Sequence, residues 1–193
     1  MLAVLASLLL VALVNAQRPV PCETPPEWNG RQMTIDPEKK FAVFARISYD
    51  APNERINIVE EVDIYQKEKK FYEYIILFKE GIMYQIELST KRTGKCEKKK
   101  LSEPFHKFKI PDNATAIGEA TIGSNALPGA GVNVAFFTGE IDGDRFFLTV
   151  TTEGCLPVHQ NIETKTAGTM HIGYYDLELG VDPERFVPPR ECE

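Results

Sequence analysis

The side chains of this sequence that could serve in catalysis or metal binding are scattered. Its three histidines are His106, His159 and His171, and no two of them have the spacing of a metal site. The G-x-S-x-G elbow of hydrolases, the H-E-x-x-H motif of zinc proteases and the phosphate-binding P-loop do not occur in it. The acidic residues follow no pattern that would identify an acid–base pair. The sequence therefore predicts that the protein is not an enzyme and offers no catalytic residue.

One acidic stretch, Glu140 to Arg145, resembles part of a calcium-binding loop. It lacks the remaining ligand positions and the closing glutamate of an EF-hand. A hairpin turn at Asp142 and Gly143 explains the same residues, because an Asp-Gly pair favours a tight turn. The sequence therefore leaves any metal-binding residues unknown.

The first sixteen residues, Met1 to Ala16, form an apolar run that ends in small residues, as secretory signal peptides do. A buried N-terminal helix and a membrane anchor are the alternatives. The run is shorter than the roughly 20 residues that a membrane-spanning helix needs. We therefore expect a secreted, extracellular protein with a signal peptide at 1–16 and a single β domain at 17–193.

Four cysteines are present, at Cys22, Cys96, Cys155 and Cys192. An even number of widely spaced cysteines behind a secretory signal predicts two disulfides formed in an oxidising compartment. Four cysteines allow three pairings, and sequence physics does not choose among them. A glycosylation sequon at Asn113 follows a turn signal, so we expect Asn113 to carry a glycan.

The formal net charge of the chain is −6. An acidic chain has no general attraction for nucleic acids or anionic membranes. The basic cluster from Lys95 to Lys100 is the exception, and we interpret it as a solvated loop; a binding patch is the alternative. No nucleic-acid partner is therefore expected.

Short apolar runs alternate with turn residues along the chain after residue 16. Clear strand patterns lie at Lys40–Asp50, Arg55–Tyr65 and Thr169–Gly180. A short helical turn is predicted at Asp182–Phe186, with Asp182 as its cap. No long amphipathic helix is apparent, so the sequence predicts an all-β antiparallel fold of about eight to eleven strands.

The most apolar segment after residue 16 is Phe71 to Leu88, which we interpret as a hairpin with Gly81 in its turn. Both faces of its first strand are apolar, because Tyr74 and Ile76 alternate with apolar neighbours. A strand that is apolar on both faces needs a cover on each. Ordinary core packing, a subunit contact and a bound apolar ligand are the explanations that remain open.

Several segments of the chain follow one another in the order found in the ependymin family. They include "PCETPPEWNGRQ", "FYEYIILFKEGIMYQI", "IPDNAT", "GCLPV", "YYDLELGVDP" and "FVPPREC", and together they extend from Pro21 to Cys192. No single segment is specific, but the set is, and the chain resembles a member of that family.

The resemblance implies two stacked, curved antiparallel sheets that enclose an apolar pocket, similar to bacterial lipoprotein carriers. It implies a secreted glycoprotein, lysosomal in some relatives, that forms dimers and is linked to calcium and to adhesion to matrix such as collagen. By position, it pairs Cys22 with Cys155 and Cys96 with Cys192. Since this pairing uses all four cysteines, we expect the homodimer to be non-covalent. No cofactor other than calcium is implied.

Two functions compete on this basis. The first is a module that holds a lipid or fatty acyl chain between its sheets, with Tyr74, Ile76, Tyr84 and Ile86 as the candidate pocket residues. The alternative is a calcium-binding extracellular matrix or cell-adhesion protein without a carrier role. The sequence does not identify the ligand or the face of the hairpin that lines the pocket.

Overall fold

The computed structural model describes residues 18–62, 70–89, 92–165 and 168–192, and for residues 89, 92–94 and 191 it describes the backbone only. These residues form eleven β-strands and two short 3₁₀ helices. The strands are β1 (Glu27–Asp36), β2 (Phe41–Asp50), β3 (Arg55–Val62), β4 (Lys70–Leu77), β5 (Ile82–Ser89), β6 (Arg92–Lys100), β7 (Thr115–Gly123), β8 (Gly131–Ile141), β9 (Asp144–Thr151), β10 (Pro157–Thr164) and β11 (Gly168–Leu179). The helical turns η1 (Pro183–Phe186) and η2 (Arg190–Cys192) follow.

All eleven strands belong to one antiparallel sheet, in the order β6-β5-β4-β3-β2-β1-β11-β10-β9-β8-β7. The all-β antiparallel prediction is therefore confirmed. The two sheets that the resemblance implies are continuous here, because β11 pairs with β1 and joins the halves β1–β6 and β7–β11. The strands β6 and β7 form the two edges of the sheet.

The predicted hairpin turns are also confirmed. Gly81 has a φ of 65° between β4 and β5. Asp142 and Gly143 connect β8 to β9 with φ of 54° and 87°. Two positive φ values are what a two-residue type I′ turn requires. The acidic stretch at 140–145 is therefore a hairpin turn.

Strand register divides the sheet into two faces, since residues opposite each other on antiparallel strands point the same way. One face carries Trp28, Tyr49, Ile56, Ile76 and, beyond β11, Ile162. We call it the crossed face, because the connection between the two edge strands crosses it. The opposite face, on which the C-terminal residues pack, is called the tail face.

Residues 101–114, named the crossing segment, connect β6 at one edge to β7 at the other. Its aromatic residues pack in the middle of the crossed face. The ring of Phe105 stacks on Tyr49 at 5.7 Å, and the ring of Phe108 meets Trp28 edge-on at 5.3 Å. Trp28 is fully buried, so this aromatic cluster is a core of the protein.

The tail face is covered over β4 and β5 by the chain's own C-terminus. Cys192 packs with Ile75, Tyr84 and Ile86, and a disulfide joins it to Cys96. In η1 the Asp182 side chain accepts a hydrogen bond from Glu184 N at 3.0 Å, which confirms the predicted cap. This intramolecular cover explains why β4 is apolar on the face that carries Ile75.

The basic cluster from Lys95 to Lys100 is not the solvated loop that the sequence predicts. It forms most of β6, paired with β5 along Ile82–Ser89. The lysines are exposed, but their backbone completes the sheet edge next to the apolar strand β5. The run of charged residues was therefore taken for a loop although it forms a strand, because an edge strand with one solvated side tolerates lysine.

Candidate functional site

A cavity of about 420 Å³ lies on the crossed face, between the crossing segment and strands β9 and β10. This volume falls within the range of small-molecule sites in proteins. Its floor is built from alternate residues of β9, namely Phe146, Leu148 and Val150, and from Ile162 on β10. The register places Ile162 opposite Phe146, so the period-two alternation of both strands directs apolar side chains to the same side.

The crossing segment forms the wall opposite this floor, and backbone hydrogen bonds hold it in place. Ile110 N donates to Cys22 O at 2.8 Å, and Thr24 N donates to Phe108 O at 3.0 Å. The disulfide Cys22–Cys155 then attaches the N-terminal residues to the sheet, and Cys155 itself lines the cavity. The wall is therefore fixed by contacts between parts of the chain that are far apart in sequence.

Aromatic residues next to the cavity hold the same wall from below. Phe108 N donates to the Tyr49 hydroxyl at 3.2 Å, and Trp28 Nε1 donates to Thr24 Oγ1 at 3.3 Å. Burial raises the pKa of Tyr49, and burial also raises the pKa of Tyr174 in the same cluster. Both hydroxyls therefore stay neutral across the physiological range, and their role is structural.

The lining of the cavity also contains polar residues that are mostly exposed to solvent, and we call this part of the lining its mouth. His106, Lys107 and Lys109 belong to the crossing segment, and Asp142 and Asp144 belong to the β8–β9 turn. Lys107 Nζ lies 2.8 Å from a carboxylate oxygen of Glu23, and that hydrogen bond raises the pKa of Lys107.

Lys109 Nζ likewise pairs with Asp112 at 3.1 Å. Since the lysines of the mouth are matched by carboxylates of the chain itself, the charges of the mouth do not select a ligand charge on their own.

The four pocket residues proposed from sequence do not form one surface. Tyr74 and Ile76 lie on the crossed face, whereas Tyr84 and Ile86 lie on the tail face, because Tyr84 is opposite Ile75 rather than Ile76. Tyr84 and Ile86 are 8% and 3% exposed beside Cys192. None of the four lines the cavity. Whether any of them contacts a ligand remains a prediction.

Tyr74 and Ile76 lie on the half of the crossed face formed by β3 to β5. Burial is the main effect that raises the pKa of Tyr74 to about 12, and the neighbouring Glu60 carboxyl adds to it. Both side chains are half-buried, so this part of the crossed face remains partly open.

Sequence reasoning missed the crossing segment as a wall of the cavity. Residues 101–114 show no strand or helix periodicity, and their proline and charged residues suggest a surface loop. The available signal was the set of apolar residues within this polar stretch, Phe105, Phe108 and Ile110. Apolar residues at irregular spacing indicate that a segment is covered without indicating what covers it.

Two histidines come together on the tail face. The rings of His159 and His171 stack at 6.3 Å, and His171 Nδ1 lies 2.5 Å from Asn161 Oδ1. His106 lies apart from them at the mouth of the cavity. Within the described ranges, no group of three or more His, Cys, Asp or Glu residues is arranged to hold a metal ion. Calcium binding and matrix adhesion therefore remain predictions without an assigned site.

Both disulfides implied by the resemblance are confirmed, Cys22–Cys155 and Cys96–Cys192. They lie on opposite faces of the sheet, the first beside the cavity and the second beneath the tail. Asn113 is exposed and lies two residues before β7. In the part of the chain that the structure describes, no helix is long and apolar enough to cross a membrane.

Comparison with known proteins agrees with this description. A family model described as Ependymin matches residues 66–192. Mammalian ependymin-related protein 1 from Mus musculus is 31% identical over 179 residues, which span 91% of this chain and 77% of that protein. Ependymin from Clupea harengus is 28% identical over 201 residues, which span 98% of this chain and 92% of that protein.

Among solved structures, an uncharacterized conserved protein from Thermus thermophilus is similar with a TM-score of 0.53. The match covers 90% of this chain and 88% of that one at 10% sequence identity. At this identity the similarity concerns the fold alone.

Proposed function

The chain belongs to the ependymin family, and on that premise we propose that it is a secreted glycoprotein that binds a hydrophobic ligand, a lipid or a fatty acyl chain. The proposed site is the cavity between the crossing segment and strands β9 and β10. This differs from the hairpin at 71–88, where the apolar pattern of the sequence had suggested it.

The observation that supports this proposal is the division of the cavity into an apolar floor and a polar mouth. Phe146, Leu148 and Ile162 offer apolar surface, while His106 and Asp142 in the mouth are exposed to solvent. Such a division suits an amphipathic molecule with its chain inside and its headgroup in water. Each methylene of the ligand that is buried contributes about 0.8 kcal/mol to the binding free energy, and these contributions add up along an acyl chain. Part of that gain is offset by the cost of ordering the ligand.

The test is the binding of a fluorescent fatty acid to the purified protein and to two matched variants. Ile162→Trp places a large ring in the cavity and should weaken binding at least tenfold. Ile76→Trp adds the same ring to a half-buried position on the same face but outside the cavity, and it should leave binding unchanged. Thermal unfolding of both variants checks that the fold is retained.

The proposal fails if the wild-type protein binds no lipid probe. The assignment of the cavity fails if a folded Ile162→Trp variant binds with wild-type affinity. Loss of binding in Ile76→Trp alone would move the site to the half of the crossed face formed by β3 to β5.

A further inference from the structure

Four side chains that can donate electron pairs to a metal ion surround Gly173 on the tail face. His159 on β10 is opposite Gly173, and Met33 on β1 is opposite it on the other side. His171 and Tyr175 lie two positions before and after Gly173 on β11, so the period of a strand places them on the same face. Imidazole nitrogen, phenol oxygen and thioether sulfur therefore lie around a position that carries no side chain.

Gly173 keeps the centre of this group open. A Cβ placed on it would lie 2.6 Å from the hydroxyl oxygen of Tyr175, so that hydroxyl extends over the glycine. Glycine inside a strand often marks a place where a ligand approaches the backbone closely. The Tyr175 hydroxyl therefore lies in the row of the sheet that contains His159 and Met33.

The two histidine rings are close enough to share one metal ion. Their centroids are 6.3 Å apart. A metal–nitrogen bond is about 2.0–2.1 Å long, so two imidazoles on one ion have centroids roughly 4.5–6.5 Å apart. The last side-chain torsion of histidine is broad, so both half-buried rings can turn toward an ion.

A hydrogen bond prepares one of the rings as a ligand. His171 Nδ1 lies 2.5 Å from Asn161 Oδ1. An amide oxygen only accepts hydrogen bonds, so Nδ1 carries the proton and Nε2 keeps its lone pair. The same arrangement orients metal-binding histidines in general, where the second ring nitrogen donates to an oxygen.

The charged side chains next to this group in the register are already paired. Arg31 is opposite Tyr175, and its Nε lies 3.2 Å from an oxygen of Asp176. Glu163, two positions after Asn161, accepts from Arg145 at 2.6 Å. The donors around Gly173 are therefore neutral nitrogen, oxygen and sulfur atoms.

We propose that His159 and His171 bind a copper(II) ion, with the Tyr175 hydroxyl and the Met33 thioether as further donors. Imidazole suits copper, and copper(II) binds such ligands more tightly than the other divalent ions of the first transition row. Calcium requires six to eight oxygen ligands, so these donors do not suit calcium. The site lies on the face opposite the apolar cavity and is independent of the lipid-binding proposal.

The first test titrates the untagged secreted protein with Cu²⁺ at neutral pH in a non-coordinating buffer, followed by calorimetry. The wild type should bind a single ion per chain. His159→Gln and His171→Gln should each weaken binding by about tenfold or more, because each removes an imidazole. His106→Gln removes the third histidine, which lines the cavity on the crossed face, and should leave the affinity unchanged.

The second test keeps all four donors in place. Gly173→Ala puts a methyl group where the Tyr175 hydroxyl lies, so it should weaken copper binding. Gly118→Ala is the matched control, since a Cβ there meets no atom within 4 Å, and it should bind like the wild type. Thermal unfolding checks that both variants fold. Electron paramagnetic resonance of the wild-type complex should show coupling of copper to imidazole nitrogens.

Three results would overturn the proposal. They are a wild type that binds no Cu²⁺, wild-type affinity in folded His159→Gln and His171→Gln variants, and displacement of the copper by an excess of Ca²⁺. Displacement by Ca²⁺ would mean that oxygen ligands elsewhere in the chain hold the ion.

Discussion

Cys22 and Cys155 are 133 residues apart in the sequence, and the disulfide between them fixes one wall of the cavity. Cys22 O accepts the backbone hydrogen bond of Ile110 in the crossing segment. The disulfide therefore holds the N-terminal residues in place, and these in turn hold the wall of the cavity. The second disulfide, Cys96–Cys192, lies on the other face and attaches the C-terminal tail.

Removal of the first disulfide should affect both stability and ligand binding. The double variant Cys22→Ser, Cys155→Ser should lose about 2–4 kcal/mol of unfolding free energy, because the closed loop is long. It should also bind the fluorescent fatty acid more weakly, since the crossing segment loses its anchor. The matched variant Cys96→Ser, Cys192→Ser should lose comparable stability and keep its affinity. Denaturant unfolding measures the loss of stability, and titration with the probe measures the affinity. If both double variants bind the probe with equal affinity, the Cys22–Cys155 disulfide does not hold the wall of the cavity in place for binding.

A buried ion pair should make stability depend on acid pH. The Asp50 side chain is fully buried, and its Oδ2 lies 2.6 Å from Arg55 Nε. Burial alone would raise the pKa of the Asp50 carboxyl, but hydrogen bonds from Asn53 and Arg55 outweigh burial and hold that pKa below its usual range. A lowered folded-state pKa means that the stabilisation is complete above the unfolded pKa of about 4 and is lost as the pH falls through the folded value.

Asp50→Asn should therefore lower the unfolding free energy at pH 7 by about 2 kcal/mol, and its deficit relative to the wild type should shrink in acid. Asp176→Asn removes an exposed ion pair with Arg31 and should cost less than about 1 kcal/mol. Chemical unfolding of the wild type and both variants between about pH 2 and pH 7, a range that includes the ordinary carboxyl pKa values, measures these differences in unfolding free energy. A deficit that stays constant with pH would argue against the ionised pair.

Glu60 should behave in the opposite way. Burial raises the pKa of Glu60, and the hydrogen bond with Tyr74 offsets only part of that effect. A raised folded-state pKa means that the ionised group opposes folding, so its contribution to stability falls as the pH rises through the folded value. Glu60→Gln should then raise the unfolding free energy at pH 7, by up to about 1 kcal/mol, with no gain below about pH 4.

The exposed Glu153 gives the control for this variant, since Glu153→Gln should change little at either pH. If the Glu60→Gln protein is less stable than the wild type at pH 7, the ionised carboxylate makes an interaction that stabilises the fold by more than its desolvation destabilises it.

Asn113 should carry a glycan in the secreted protein. The residue is exposed in the turn before β7, where a transferase can reach the chain. Peptide N-glycosidase should increase the electrophoretic mobility of the wild type, and Asn113→Gln should migrate like the treated protein. An untreated wild type with the mobility of Asn113→Gln would show that the sequon is unused.

Local features of the fold followed from the sequence alone. Alternation of apolar and polar residues identified β3 from Arg55 onward, and Asp142-Gly143 identified the turn between β8 and β9. Asp182 before Pro183 identified the cap of η1. Each of these features depends on residues within a few positions of one another, so a short window of sequence contains its physical cause.

The sequence pattern did not predict the strands that depend on a neighbouring strand for their stability. The segment Thr115–Gly123 contains two glycines and two alanines, which have low strand propensity, yet it forms β7 because β8 supplies its hydrogen bonds. The lysine-rich sequence of β6 likewise does not indicate a strand, and β6 forms because β5 supplies its hydrogen bonds. Pairing with a neighbour stabilises these strands, and local sequence does not record it.

The placement of the apolar residues was decided by tertiary structure. The sequence established that Phe71–Leu88 is apolar on both faces of its first strand, but register alone separates Tyr74 and Ile76 from Tyr84 and Ile86. A shift of one residue exchanges the faces of a strand, so no pattern within the hairpin determines them. The cavity, likewise, joins Ile110 of the crossing segment to Phe146 and Ile162 of the sheet. These residues meet because backbone hydrogen bonds and the Cys22–Cys155 disulfide close long stretches of chain, and such contacts form only in the folded molecule.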